Sequence, residues 1–247
     1  MIIDRGSREF EVKQELREIC SIVKVKAGYH YTDYCFLEVI PPFIEEGIRA
    51  CLDNGADYIT VMPYFLYPGI KLKDSVKQSA RIGHMKNLKM VITKPLSYHS
   101  KMTEVIIERI NQLKREHNIR YLDSDCDVIL IGHGSSDKNA RNAFLYTVNS
   151  LRPFYRNVEF CFLELDTPDI QGCIKDIVQR RPKIVLLMPY FLHEGTHIKH
   201  DVLGEVRSAI ERNQIKNAFM TKHLGVDEKL VSIVVERARE VETKVGL

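Results

Sequence analysis

The feature that most constrains this chain is that it repeats itself. Cys35-Phe36-Leu37-Glu38 returns as Cys161-Phe162-Leu163-Glu164, and Met62-Pro63-Tyr64-Phe65-Leu66 returns as Met188-Pro189-Tyr190-Phe191-Leu192, both 126 residues later. Two looser anchors bracket these at an offset of 128: Asp4-Arg5-Gly6-Ser7 against Gly132-His133-Gly134-Ser135, and Thr93-Lys94-Pro95-Leu96 against Thr221-Lys222-His223-Leu224. Four matches in one order through both halves mark a duplication. A chain of 247 residues also exceeds the usual single domain of roughly 100 to 200. The sequence therefore predicts two units, 1–122 and 123–247, joined through the polar stretch 118–125.

Each half reads as alternating β and α elements. In the first, residues 1–4, 33–39, 58–66 and 89–93 have strand character, and helical spacing covers 8–25, 41–54, 72–82 and 101–117. In the second, strands are expected at 127–131, 158–164, 183–192 and 216–221. Alternation of this kind implies parallel strands joined by crossovers, so the expected fold is α/β. It comprises two tandem lobes, each a small sheet of about four parallel strands with helices on both faces.

Composition excludes several classes. There are 36 Lys plus Arg against 33 Asp plus Glu, a formal charge of +3, well short of the excess of a nucleic-acid-binding domain. A mild basic bias remains compatible with an anionic small molecule. Charge appears at Asp4 and Arg5 after only two apolar residues beyond Met1, which is not the pattern of a signal peptide. No apolar run reaches the ~18 residues that span a bilayer, so a cytoplasmic protein without membrane attachment is expected. The six cysteines form no C-x-x-C pair, which argues against a zinc ribbon, an iron–sulfur cluster or a dithiol redox site, and they read as buried thiols.

In an open parallel sheet, ligands bind beyond the carboxyl ends of the strands. The repeat anchors lie there. His133, flanked by Gly132 and Gly134, follows the first strand of the second half; Glu164 ends the next; and the loop with Glu194, Gly195, Thr196 and His197 follows the third. Two imidazoles and a carboxylate suit a borderline divalent metal, and equally suit proton removal near neutral pH. The trio names no substrate. His197 and His200 are spaced H-x-x-H without the adjoining Glu of a zinc-protease helix. The glycines around His133 lack the rest of a nucleotide-binding pattern, and Ser135 is outside a G-x-S-x-G elbow, so it reads as a helix cap. His30, His84, His99, His117, His193 and His223 lack a paired context and read as structural or surface residues.

Taken together, Gly132-His133-Gly134-Ser135, Phe162-Leu163-Glu164 and the run Pro189-Tyr190-Phe191-Leu192-His193-Glu194-Gly195-Thr196-His197-Ile198-Lys199-His200-Asp201 resemble the sirohydrochlorin chelatases, class II tetrapyrrole metal chelatases, in their long two-repeat form. The resemblance spans nearly the whole chain. It implies a lyase that inserts Co²⁺ or Fe²⁺ into sirohydrochlorin without ATP or an iron–sulfur cluster, in cobalamin or siroheme synthesis. It also implies a cleft between lobes for the macrocycle. His133 and His197 would bind the metal and take the pyrrole protons, with Glu164 assisting.

The first half departs from this pattern. Arg5 replaces the motif histidine, and the loop through Gly69, Lys71, Lys73 and Asp74 is one residue shorter and has no histidine: Gly69 to Gly195 is 126 residues, Asp74 to Asp201 is 127. Only Glu38 keeps its counterpart. The expectation is one metal site, in the second half, with Arg5, Lys71, Lys73 and Ser135 as candidate contacts to the acidic arms of the tetrapyrrole. One chain supplies both lobes, so a monomer suffices, which does not exclude a dimer. The rival readings are a non-catalytic tetrapyrrole or metal carrier and a binding protein for another small anion.

Overall fold

A computed structural model describes residues 1–195 and 201–246. His197 and His200 lie outside them. The N-terminal half runs β1 (Ile2–Asp4), α1 (Phe10–Ala27), β2 (Tyr34–Phe36), α2 (Ile44–Asp53), β3 (Ile59–Pro63), α3 (Ile70–Met85), β4 (Met90–Ile92) and α4 (Lys101–Glu116). After a single 3₁₀ turn, the C-terminal half repeats the series: β5 (Cys126–Gly132), α5 (Lys138–Leu151), β6 (Asn157–Phe162), α6 (Ile170–Gln179), β7 (Ile184–Pro189), α7 (Leu203–Arg212), β8 (Ala218–Met220) and α8 (Glu228–Glu242). Each half forms a four-stranded parallel sheet, in the orders β2-β1-β3-β4 and β6-β5-β7-β8. The α/β expectation and the strand count hold in both.

Strand alternation decides which helix covers which face. In the first sheet, Ile3, Cys35, Leu37, Ile59 and Val61 form one buried cluster with Ile44, Ile48 and Cys51 of α2. In the second, Ile129, Ile131, Cys161, Val185 and Leu187 cluster with Ile174 and Ile177 of α6 and Val206 and Ala209 of α7. The alternate residues face the other way, where Phe144 of α5 meets Phe160, Phe162 and Tyr190 at centroid distances of 6.0, 5.0 and 5.8 Å. All seven residues of β5 are buried, as befits a central strand covered on both sides. All six cysteines are buried free thiols. Burial pushes Cys20 and Cys35 up to about 12, so they are packing groups rather than nucleophiles.

The compact units divide the chain differently from the repeat boundary expected at 122/123. One unit is Met1–Lys101 with Val226–Leu247, the other Met102–Gly225. Each sheet is thus closed by the final helix of the opposite half. α8 packs on α1 and β3, and α4 lies beside α5, with Thr103 Oγ1 2.6 Å from Ser150 Oγ. Arg237 on α8 donates to the carbonyls of Pro95 and Ser97 at 3.2 and 2.9 Å. The same exchange gives His99 a partner: its Nε2 lies 3.1 Å from Glu236 on α8, a carboxylate that Lys101 also binds. The lack of context assigned to His99 is corrected by this contact, which joins residues 137 positions apart in sequence.

Three local boundaries also moved. Pro41 and Pro42 precede α2 instead of opening it, because the Pro42 carbonyl accepts from Phe36 N at 2.8 Å and prolongs the sheet contact. α3 starts at Ile70 and reaches Met85, longer than its apolar pattern suggested. Asp137, not Ser135, caps α5 by accepting from Asn139 N at 2.9 Å. Ser135 Oγ accepts from Asp137 N at 3.1 Å, a turn that delivers the chain to that cap.

Candidate active site

The C-terminal site is built on the adjoining ends of β5 and β6. Gly132 pairs with Phe162 in the parallel ladder, and the pairing continues past the strands: Leu163 N donates to Gly132 O at 2.9 Å and Glu164 N to His133 O at 3.0 Å. These bonds fix His133 and Glu164 as neighbours although 31 residues separate them. Gly134 permits the approach. Its φ is +94°, and a Cβ there would stand 1.7 Å from Glu164 O. Glycine is required on both counts, handedness and space.

The side chains meet accordingly. His133 Nε2 lies 3.2 Å from Glu164 Oε1, with 25% and 50% of the two side chains exposed. The Phe191 ring meets the imidazole edge to face at 6.4 Å. An imidazole nitrogen and a carboxylate oxygen at this separation attract one another when the imidazole carries its second proton. When the imidazole is neutral and its lone pair is on that nitrogen, two acceptors face one another, and they share a cation instead. Among the described residues no group of three or more His, Cys, Asp or Glu is placed to hold a metal.

The loop carrying Glu164 has a brace that the sequence reading missed. Arg141 on α5 pairs with Asp166 and donates to Thr167 O at 3.1 Å, while its guanidinium stands 5.4 Å from the Phe162 ring centroid. The available signal was the asymmetry of the repeat, which places Lys13 and Ile40 at the corresponding positions of the first half.

Comparison with known proteins matches this architecture in both halves. The CbiX family model matches residues 1–113 and 127–241. The chain belongs to the CbiX family. A sirohydrochlorin cobaltochelatase of Priestia megaterium is 28% identical over 97% of this chain and 78% of its own length. A sirohydrochlorin ferrochelatase of the same organism is 21% identical over 100% of this chain and 91% of its own. The structure of SirB from Bacillus subtilis with Fe³⁺ superposes with a TM-score of 0.84 at 22% identity, covering 99% of this chain and 96% of that one, which establishes a shared fold. No helix among the described residues is long and apolar enough to cross a membrane.

The N-terminal lobe of this CbiX-family chain repeats the backbone of the site and changes its side chains. Gly6 has φ +106°, and a Cβ there would meet Glu38 O at 2.1 Å. Glu38 N donates to Arg5 O at 3.1 Å. Where His133 faces Glu164, Arg5 Nε lies 3.1 Å from Glu38 Oε1, and Lys71 Nζ lies 2.7 Å from Oε2. Lys71 above all, then Arg5, holds the Glu38 carboxyl below the ordinary carboxylate range, against an opposing push from burial. Two of the residues expected to reach for substrate are thus already shared with a protein carboxylate. Lys73 stands exposed on the first turn of α3.

Proposed function

We propose that this chain is a lyase that inserts Co²⁺ or Fe²⁺ into sirohydrochlorin, with the chemistry in the C-terminal lobe. The observation that carries the reading is the 3.2 Å approach of His133 Nε2 to Glu164 Oε1 at the carboxyl ends of two adjacent parallel strands. It stands in a chain whose CbiX matches cover both halves. The names of the similar proteins, cobaltochelatase and ferrochelatase, and the Fe³⁺ bound by the B. subtilis structure support metal insertion.

Insertion replaces two pyrrole N–H protons by one divalent ion, so the site must bind a cation and then accept protons. Neutral imidazole does both in turn. His133 and Glu164 take the ion from water, the macrocycle nitrogens displace them as ligands, and the released protons pass to the imidazole and the carboxylate. His197 is the second histidine of the set. The first repeat supports its role: Lys71 stands 126 residues before it, and the Lys71 ammonium lies on the Glu38 carboxylate. Arg5 and Lys71 together exceed Glu38 by one positive charge, which favours the acidic arms of the substrate. Ser135 contributes through the turn that follows His133.

Absorption spectroscopy of sirohydrochlorin with added Co²⁺ tests the reading. The wild-type chain accelerates the spectral change, and His133→Ala, Glu164→Gln and His197→Ala each reduce that acceleration at least 100-fold. A protein that binds the tetrapyrrole without accelerating insertion is a carrier, and that result refutes the proposal.

A further inference from the structure

Directly after the site carboxylate, each lobe places an exposed apolar residue in left-handed backbone. Leu165 has φ +63° and is 67% exposed, and its counterpart Val39 has φ +77° and is 47% exposed. Exposure of one apolar side chain carries no information by itself. Backbone handedness does. The β-carbon of an L-residue clashes in this region, most severely for a β-branched one, so glycine, asparagine or aspartate is the low-energy choice. At Val39 the strain is explicit: Ile40 N donates to Glu38 O at 3.0 Å, closing a γ-turn of the rare hand about it.

The conformation itself belongs to the fold. Glu164 N and Glu38 N are tied to the preceding strand end, and Gly134 and Gly6 press on the two glutamate carbonyls, so the chain must turn sharply at the next residue. The residue type does not belong to the fold, because a glycine would satisfy the same turn at lower cost. Both halves nevertheless keep a bulky aliphatic group there, in solvent, one residue from the carboxylate.

Resting on the chelatase reading, we infer that Leu165 is a substrate-binding residue whose side chain packs on the apolar face of the macrocycle while Glu164 addresses the metal. Adjacent Cα atoms are about 3.8 Å apart, so a planar ring presenting its nitrogens to the metal beside Glu164 comes within reach of the Leu165 methyl groups. Covering those methyls removes apolar area from water on both partners, and this offsets the strain only when the ring is present. Val39 holds the equivalent position in the N-terminal lobe. Its contact is with the same chemical class, a flat conjugated ring.

The test uses Leu165→Gly and Leu165→Asn, which both accept left-handed backbone, and Leu165→Met, which keeps the apolar reach. Sirohydrochlorin affinity is measured anaerobically by absorbance titration, Co²⁺ affinity by calorimetry, and stability by thermal melting. The expected result is that the Gly and Asn variants bind sirohydrochlorin about tenfold more weakly, about 1.4 kcal/mol, raise KM more than they lower kcat, leave Co²⁺ affinity unchanged and melt at or above the wild-type temperature. The Met variant stays within about twofold. Sirohydrochlorin affinity within twofold of wild type in the Asn variant overturns the inference, and so does a fall in melting temperature or Co²⁺ affinity, which marks a structural role. Wild-type chain that neither binds nor metallates sirohydrochlorin removes the chelatase reading and this inference with it, whereas an active wild type with an indifferent Asn variant removes the inference alone.

Discussion

Replacing Gly134 by alanine should disable the C-terminal site without touching any of its functional groups. Two costs are separable. At φ +94° an L-residue is strained by about 1–2 kcal/mol, which in a chain of this size lowers Tm by about 2–8 °C. The second cost is geometric: the new Cβ would stand 1.7 Å from Glu164 O and 2.9 Å from its carbonyl carbon. Backbone cannot yield as a flexible side-chain tip does, so the Glu164 segment must retreat by more than an ångström. That breaks the 3.0 Å bond from Glu164 N to His133 O and parts the carboxylate from the imidazole. A displacement of about 1 Å in a reacting group costs on the order of 100-fold in rate. Gly28 supplies the control, because its φ is +76° with nothing within 4 Å of an added Cβ; its alanine variant pays the strain alone. The measurement is kcat/KM for Co²⁺ insertion alongside Tm for Gly134→Ala and Gly28→Ala. Comparable Tm losses with a 100-fold activity loss only at Gly134 are expected. Insertion by Gly134→Ala within a few-fold of wild type would refute the reasoning.

The remaining expectations concern the exchanged helices. Deleting 226–247 removes α8, whose buried Leu230, Val231, Ile233, Val234 and Val235 belong to the unit built on the first sheet. At roughly 1.5–3 kcal/mol per buried aliphatic side chain the loss matches or exceeds a typical domain stability of about 5–15 kcal/mol. Hydrogen exchange should therefore show β1 and β3 losing protection while β5 keeps it, and equal or earlier loss in β5 would contradict this division. Burial first, then the nearby Arg237 charge, lowers the pKa of His99 from its ordinary value near 6.5, so the folded protein resists protonation there. The unfolded chain takes that proton first, so the associated stability is present above about pH 6.5 and is lost as pH falls through the folded value. His99→Gln should flatten the decline of the urea midpoint between pH 7 and 5, and parallel profiles for the two proteins would count against it.

Both sheets were legible in the sequence because duplication supplies two readings of each strand, and a strand buried on both faces shows as an uninterrupted apolar run such as Val128 to Ile131. Helix ownership was not. α4 and α8 hold the same place in the two repeats and carry similar apolar stripes, and nothing in a stripe says which sheet it will cover. The His99–Glu236 contact was hidden for the same reason, since it exists only because α8 returns to the first unit. Within the site, the sequence placed His133 and Glu164 at the ends of successive strands, and the ladder between β5 and β6 sets those two ends side by side. The engagement of Arg5 and Lys71 by Glu38 escaped notice because side-chain charges were read as facing a ligand, when the nearest carboxylate lay at the next strand end.

The two lobes amount to one backbone carrying two solutions to the same electrostatic problem. A glutamate is drawn to the end of a parallel strand and pinned by its own N–H at 3.1 Å in one lobe and 3.0 Å in the other, with a left-handed glycine pressed against its carbonyl in each. Each carboxylate is partly exposed and has a basic side chain beside it. The first lobe answers with a guanidinium and an ammonium, both partly exposed. The second places an imidazole there instead, with His133 Nε2 3.2 Å from Glu164 Oε1. The two lobes thus share a scaffold and differ in the group that faces the glutamate.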